Sequence, residues 1–428
     1  MKKVLLILLP LFFCFAENEI SVNLSTDNHL TPIKIKEIEN KDFFYPQSYL
    51  NDLQEVLYFD FNQNGRSYIS KSNDCLYEIK LIASGKNLKV SFINHISNSI
   101  NRYQDILISG KLSKDRQKIH QISDDIFFKI FKKHGIASTK ILFTERRKIH
   151  GEWVSELCLC DYDGHNVIQL TDDNQYNVTP CFLPKVNGNT FETFLYVSFK
   201  KGQPKIFKGS INDPNGEPLF SLPGNQLLPC VSSNCRMIAF ISDAAGRTDL
   251  FLQHYNSVGK AEGKPIQLFS YPRAIQATST FSPNNKKIAF VSDKDGPPRI
   301  YLMDLPSKYY NKRQNVKLIT KQNRHNTSPN WSPDGKKIAY SAKVNGIGQI
   351  WVYDIESDKE WQLTSDVFNK ENPKWAPDSF HLIYNTEDGN HSELYIINLN
   401  NKDPLQISKG AGQKRFPCWE PGKTKRTP

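Results

Sequence analysis

The stretch that decides the fold runs from Ser328 to Tyr340 and reads SPNWSPDGKKIAY. Copies of this segment share a bulky residue followed by a turn sequence, and they read STFSPNNKKIAF (279–290), PKWAPDSFHLIY (373–384), PCVSSNCRMIAF (229–240), PCFLP (180–184) and PCWEP (417–421). Segments that recur at a fixed period of several tens of residues indicate stacked supersecondary units. The chain is therefore predicted to be a repeat protein over most of its length.

One bulky anchor residue marks each copy. The anchors are Phe182, Val231, Phe281, Trp331, Trp375 and Trp419, at intervals of 49, 50, 50, 44 and 44 residues. Each unit contains four short alternating segments, which we name strands a to d, with turn residues such as Asp334-Gly335 and Asn345-Gly346 between them. Four strands per repeat predict the blades of a β-propeller.

The two ends of the repeat region predict how the ring closes. Residues Lys140–Glu145, Glu156–Asp161 and Val167–Leu170 resemble strands b, c and d of a blade without its strand a. The last copy, Phe416–Pro421, resembles a strand a with nothing after it. Pairing these pieces gives a six-bladed ring closed by the C-terminal strand, which leaves no exposed sheet edge. The predicted propeller spans residues 140–421, followed by a tail at 422–428.

The N-terminus has the pattern of an export signal. Two lysines precede the apolar run Val4–Phe13, and Ala16 offers a small residue for cleavage. The run is shorter than the roughly 20 residues that span a bilayer. We therefore expect residues 1–16 to be a signal peptide cleaved after Ala16, so that the mature chain is exported.

Residues 17–135 carry no repeat and predict a separate α/β domain, joined to the ring by the linker 136–139. Ser48 is expected to cap a helix ending near Leu57, and the apolar spacing after Asp115 predicts a helix to Lys133, with Gly135 as its C-terminal cap. The overall prediction is an α+β multidomain protein: an N-terminal α/β domain followed by a six-bladed β-propeller.

The composition sets limits on chemistry and partners. The net charge is +11, but the lysines are scattered between repeats, which favours solvated strand faces over a nucleic-acid site. Seven cysteines follow the predicted cleavage site, and their spacing matches no zinc motif. Cys181, Cys230 and Cys418 share one repeat position and could face one sector of the channel; free thiols are the favoured interpretation, with a metal or redox site as the alternative.

Motifs for catalysis are absent from the sequence. It contains no nucleophile elbow, zincin motif, phosphate loop or dinucleotide fingerprint, so we expect neither a catalytic residue, a metal nor a cofactor. The alternative functions are a lactonase-like propeller hydrolase and a receptor for a small molecule or a glycan. In a propeller the d–a and b–c loops open on one side, here named the mouth. We predict a docking surface there, comprising Asp172, Asp173, Tyr176, Arg273, Arg324, His325, Lys370, Lys414 and Arg415.

Taken together, the repeat, the signal and the front domain resemble the TolB family of the Tol–Pal envelope system. The resemblance is carried by WSPDGKKIAY at 331–340, DYDG at 161–164, KILF at 140–143 and FPCW at 416–419. It departs from the family over residues 25–115 and at turns without Asp-Gly, such as Asn284-Asn285.

The resemblance implies a non-catalytic periplasmic adaptor that supports outer-membrane integrity and envelope constriction at division. The mouth would bind a Pal-like lipoprotein, and the N-terminal segment would bind a TolA-like inner-membrane protein. In this chain that segment is 17–27, where Ile20, Val22 and Leu24 alternate in a pattern suited to strand addition. The family also implies a monomer that binds no nucleic acid and no cofactor.

Overall fold

The computed structural model describes residues 30–72, 74–184, 193–257, 259–306, 315–401 and 403–422. Over these residues the chain forms an N-terminal domain of two helices on a mixed sheet, and then six four-stranded antiparallel sheets. The predicted fold class is confirmed. The predicted signal peptide and the segment with Ile20, Val22 and Leu24 lie outside the described residues. Within them, no helix is long and apolar enough to cross a bilayer.

The N-terminal domain is built on a six-stranded mixed sheet in the order β3-β1-β4-β5-β6, with β2 beside β4. Its strands are β1 (Thr31–Ile35), β2 (Glu39–Phe43), β3 (Ser67–Ile69), β4 (Tyr77–Gly85), β5 (Asn87–Asn94) and β6 (Ser99–Leu107). Two helices, α1 (Gln47–Gln63) and α2 (Leu112–Phe131), cover one face. Alternate residues of β4, namely Ile79, Leu81 and Ala83, are buried in this core, as the period of two in a strand requires.

Both helix boundaries differ from those predicted. Helix α1 starts after Pro46 without a side-chain cap, so Ser48 lies inside its first turn and is not the cap. Helix α2 ends earlier than predicted, because Lys132 adopts the left-handed conformation (φ 54°) and donates its N–H to the Phe128 carbonyl. Gly135 is instead required by close packing, since a Cβ there would lie 2.1 Å from an Asp124 oxygen.

Five of the propeller's sheets are continuous in sequence. Their strands are β10 (Asn177–Phe182), β11 (Thr193–Ser198), β12 (Lys205–Ser210), β13 (Glu217–Pro218); β14 (Gln226–Val231), β15 (Met237–Ser242), β16 (Asp249–Tyr255), β17 (Ala261–Phe269); β18 (Gln276–Phe281), β19 (Lys287–Ser292), β20 (Arg299–Asp304), β21 (Val316–Leu318); β22 (Asn326–Trp331), β23 (Lys337–Val344), β24 (Ile347–Asp354), β25 (Lys359–Gln362); β26 (Asn369–Trp375), β27 (His381–Glu387), β28 (Leu394–Asn398) and β29 (Leu405–Gln406). These sheets are blades 2 to 6, in chain order.

The remaining blade joins the two ends of the repeat region. Blade 1 has the order β30-β7-β8-β9, with β7 (Lys140–Ile149), β8 (Glu152–Asp161), β9 (Ile168–Gln169) and β30 (Gln413–Trp419). Trp419 pairs with Ile141, and Cys418 pairs with Leu142. The first strands of all six sheets contact one another in a closed ring, so they line the centre. The predicted closure by the C-terminal strand is confirmed.

The repeated turn sequence has the same structural role in blades 3, 4 and 5. In blade 5, Ser332 donates its hydroxyl proton to Asp334 and accepts the backbone N–H of Lys337, which fixes the turn between strands a and b. The indole N–H of Trp331 closes the same turn by donating to the Gly335 carbonyl at 3.1 Å. Blade 4 reproduces the arrangement with Ser282 and Asn284, which explains why Asn replaces Asp there without loss of the turn.

The N-terminal domain sits against the face of the ring opposite the mouth. It contacts the c–d turn of blade 1 through Tyr162, whose hydroxyl donates to Asp60 at 2.6 Å. It contacts blade 6 where His381 Nε2 lies 2.9 Å from the Gln63 carbonyl and Asn400 donates to the Gly65 carbonyl at 3.1 Å. The contacts between the described residues of this domain and the ring therefore lie on the side away from the d–a and b–c loops.

Candidate docking surface

Two of the nine predicted mouth residues are buried. Lys370 and Lys414 each lie five positions before an anchor, and the same position in blades 2 to 5 holds the buried residues Asn177, Gln226, Gln276 and Asn326. The Lys370 ammonium pairs with Asp366, and that of Lys414 contacts Glu393 at 3.3 Å and the Gly410 carbonyl at 2.8 Å. The expectation that both lysines present charge at the surface is wrong, because this repeat position points inward.

The acidic side of the predicted surface also has a structural component. Asp172 is exposed, but Asp173 is half-buried and accepts hydrogen bonds from the Gln175 backbone and the Asn177 amide. Beneath this loop, the buried Glu156 accepts a hydrogen bond from the Thr171 hydroxyl, and burial raises the pKa of Glu156. Asp173 therefore holds the loop in shape, and Asp172 is left to face solvent.

Three predicted basic residues lie in the d–a loops before blades 4 and 5. Arg273 and Arg324 are exposed, as a docking role requires. His325 is half-buried, and burial together with the nearby charge of Lys343 lowers its pKa. At neutral pH His325 is therefore uncharged and does not add to the positive charge of the surface.

Arg415 is engaged in an ion pair within the ring. Its guanidinium binds Glu387 of blade 6, next to the closing strand. Burial raises the pKa of Glu387, while the charges of Arg415 and Arg146 oppose that rise. The pair joins blades 6 and 1 on the mouth side, so Arg415 offers a partner only part of its hydrogen-bonding capacity.

The structure adds apolar and aromatic residues that the sequence reasoning missed. Val367 and Phe368, in the d–a loop before blade 6, are 76% and 50% exposed, and Ile275 before blade 4 is 58% exposed. Adjacent apolar residues in a polar loop were the signal available in the sequence. Exposed apolar residues that gather on one face commonly mark interaction sites.

A second group forms an aromatic stack on blades 1 and 2. The Arg146 guanidinium lies 4.0 Å from the Trp153 ring centroid and 6.0 Å from that of Tyr176, in cation–π geometry. Tyr176 in turn meets Phe199 edge to face at 5.4 Å. Tyr176 was predicted, whereas Trp153, Arg146 and Phe199 were not, because they lie on strands or hairpins of different blades. Rigid aromatic and Arg side chains of this kind are common binding anchors.

Around the channel, one repeat position makes contacts between neighbouring blades. The residue before each anchor is Cys418, Cys181, Cys230, Thr280, Asn330 or Lys374, and we name this set the belt. The backbone N–H of Trp331 donates to the Thr280 hydroxyl at 3.1 Å, and that of Trp375 donates to the Asn330 side chain at 2.8 Å. The belt thus holds blades together and brings no group of carboxylates into the channel.

One group of possible metal donors lies at the domain junction. His120, Asp161 and Asp163 are buried with donor atoms within 4.8 Å of one another. Arg116 already pairs with Asp163, and Lys140 already pairs with Asp161. A metal ion would be repelled by these two cations, so the group is better described as an ion-pair network between the domains.

The fold and this surface define a class of protein: a six-bladed β-propeller with a front α/β domain on one side and a free, partly apolar loop face on the other. The family model described as the TolB beta propeller domain matches residues 127–423. The chain belongs to this family.

Individual relatives agree with that assignment. The protein TolB homolog of Protochlamydia amoebophila (strain UWE25) is 42% identical over 293 residues, which cover 62% of either chain. The homolog of Chlamydia felis (strain Fe/C-56) is 34% identical over 252 residues, or 58% of either chain. The matched stretch therefore spans less than two thirds of these relatives' length. The crystal structure of TolB from Acinetobacter baumannii has a TM-score of 0.74 at 20% identity, covering 92% of this chain and 97% of its own, and so shares the fold.

Proposed function

We propose that the protein is a non-catalytic periplasmic adaptor of the Tol–Pal system. The propeller mouth would bind a peptidoglycan-associated, Pal-like lipoprotein of the outer membrane. The N-terminal segment would bind a TolA-like protein of the inner membrane. By joining the two membranes, the adaptor would support outer-membrane integrity and envelope constriction at division.

One observation carries the proposal: the front domain packs on the face opposite the mouth. The contacts of Tyr162, His381 and Asn400 all lie on the a–b and c–d side of blades 1 and 6. The opposite face keeps its exposed apolar residues, including Val367 and Phe368. Two partners could therefore bind at once without competing for the same surface, which is what an adaptor needs.

The mouth has the composition of a protein-docking surface. Exposed apolar side chains are flanked by the exposed charges of Arg273, Arg324 and Asp172. Interfaces commonly combine an apolar centre with a polar rim. A lactonase-like hydrolase would need a cluster of Asp, Glu, Asn or His side chains in the channel, whereas the belt supplies three thiols, one threonine, one asparagine and one lysine.

The N-terminal segment is suited to the second partner by its position in the chain. It precedes β1, which lies between β3 and β4 of the front domain. Its alternating Ile20, Val22 and Leu24 could add as a strand to a partner's sheet. A partner bound there would be joined to the front domain through the chain that leads into β1.

The experiment is affinity capture from the organism's own envelope with the mature chain and two variants. Deletion of residues 17–27 should abolish capture of the TolA-like protein and spare the lipoprotein. Arg324→Glu combined with Phe368→Ser should do the reverse. If both variants retain both partners, the two assigned surfaces are wrong; if the intact chain captures neither class of partner, the adaptor function is wrong.

A further inference from the structure

Two belt cysteines meet where the ring closes. Cys418 lies on the closing strand β30 of blade 1, and Cys181 lies on β10 of blade 2, with the two strands packed against each other. The Cys418 sulfur accepts the backbone N–H of Phe182 at 3.4 Å. The Cys181 sulfur lies 3.7 Å from the carbonyl oxygen of the same Phe182. Both sulfurs therefore lie next to the backbone of the same residue, Phe182.

The surroundings favour a thiolate at Cys418. A hydrogen bond from the Cys181 thiol lowers the pKa of Cys418, and the charge of Lys374 and the Phe182 N–H act in the same direction against burial. The same contact raises the pKa of Cys181. A thiolate is the nucleophile in thiol–disulfide exchange, so one sulfur of the pair is prepared to attack.

The third belt cysteine is placed differently. Cys230 interacts with Cys418 through its charge only, and its thiol faces the backbone of Phe281 in the next blade. Among the described residues, the three thiols do not lie close enough together to share one ion. The positive charge of Lys374 also disfavours a cation at this place. The arrangement therefore fits a pair of reacting thiols better than a metal site.

We propose that Cys181 and Cys418 form an oxidisable dithiol, which a disulfide donor converts into a disulfide bond between blade 2 and the closing strand of blade 1. Cys181, the more exposed of the two, passes its proton to the Cys418 thiolate, attacks the donor's S–S bond and releases one donor thiolate. The buried Cys418 then loses that proton and attacks the Cys181 sulfur, which releases the second donor thiolate. The two cysteines are oxidised, the donor is reduced to two thiols, and the two protons end on them.

The bond would lock the closing strand in place. Residues 181 and 418 are far apart in sequence, so the cross-link restricts a long loop of the unfolded chain and stabilises the closed ring. Cys181 is partly exposed, which gives a donor access from the channel. The inference does not depend on the docking proposal, because it concerns the ring itself.

The test uses the full, reduced chain with oxidised glutathione as the donor, followed by alkylation and peptide mass spectrometry. We expect a peptide pair linked through Cys181 and Cys418, and a rise of the thermal midpoint on the order of 5–10 °C that a reductant reverses. Cys418→Ser and Cys181→Ala should each remove the link and the rise. The matched control Cys230→Ser should keep both.

Two results would overturn the inference. One is that, in the folded protein, both thiols still react with the alkylating reagent or form only a mixed disulfide with glutathione. The other is that Cys230 enters the cross-link as often as Cys181. In Cys418→Ser the hydroxyl can still accept the Phe182 N–H, and Cys181→Ala tests the other sulfur independently. If one variant fails to fold, the other still decides the question.

Discussion

Arg116 of α2 forms a buried ion pair with Asp163 in the turn after β8, and this pair fastens the front domain to the propeller. His120, one turn further along α2, lies 2.9 Å from Asp60 and 3.4 Å from Asp163. Burial alone would raise the pKa of Asp163, but His120, His165 and Arg116 hold it well below its usual range. The network spans both domains, so it couples their stability.

Replacing Arg116 by Met should destabilise the folded protein by about 3–5 kcal/mol, because the buried Asp163 would lose the guanidinium that pairs with it. The free energy of unfolding in denaturant measures the change. Lys114→Ala is the matched control, since Lys114 is exposed on the same helix and should change stability by less than about 0.5 kcal/mol. Equal effects of the two substitutions would show that the ion pair does not join the domains.

The junction should also weaken at alkaline pH. Burial by itself lowers the pKa of His120, but Asp60 and Asp163 outweigh it and raise the pKa to about 10. A raised folded-state pKa gives stability that is complete below the unfolded value of about 6.5 and is lost as the pH rises towards 10. The difference in unfolding free energy between the wild type and His120→Gln should therefore shrink as the pH rises from 6 to 10.

Unfolding curves of the wild type and His120→Gln, measured at several pH values, test this expected loss of stability. The contribution of His120 is isolated because His120→Gln keeps a polar side chain and cannot titrate. A difference that stays constant, or grows, over that range would mean that His120 is neutral in the folded protein.

Reversing the charge of Lys414 should damage the fold and not merely the docking surface. A carboxylate there would face Glu393 and the carbonyls of Gly410 and Ala411 in a buried site. We expect Lys414→Glu to cost about 3 kcal/mol or more in unfolding free energy. Arg324→Glu, on an exposed loop, should cost less than about 0.5 kcal/mol.

Removing the closing strand should open the ring. Deleting residues 413–428 would leave β7 with an unpaired edge, and such edges promote aggregation. Size-exclusion chromatography should show loss of the monomer peak. Deleting residues 423–428 alone is the control and should leave that peak unchanged; a monomeric, cooperatively unfolding 413–428 deletion would contradict the closure.

The repeat made the propeller predictable because its period and turn chemistry are local signals. The pairing of Trp419 with Ile141 followed from the two incomplete ends. The burial of Lys370 and Lys414 was also open to prediction, since their repeat position is polar and inward in the other blades. The charged residues of the d–a loops suggested that both lysines are exposed. Alignment of the repeats predicts their burial correctly.

Other features could not be predicted because they depend on contacts between distant parts of the chain. The position of the front domain on the ring depends on contacts such as that of Tyr162 with Asp60, which are more than a hundred positions apart in the chain. The aromatic stack joins Arg146, Trp153, Tyr176 and Phe199 from two strands and two loops. The left-handed Lys132 that ends α2 has no residue-type signal, since glycine usually takes that conformation.

The most direct test of the account is a calorimetric titration of the mature chain with the soluble domain of the organism's Pal-like lipoprotein. The account predicts saturable one-to-one binding that Val367→Glu with Phe368→Glu weakens at least tenfold, about 1.4 kcal/mol. The same pair of substitutions should leave the unfolding midpoint unchanged, because both side chains are exposed. Binding at full affinity by that variant, or no binding by the intact chain, would contradict the claim that the mouth is the docking surface.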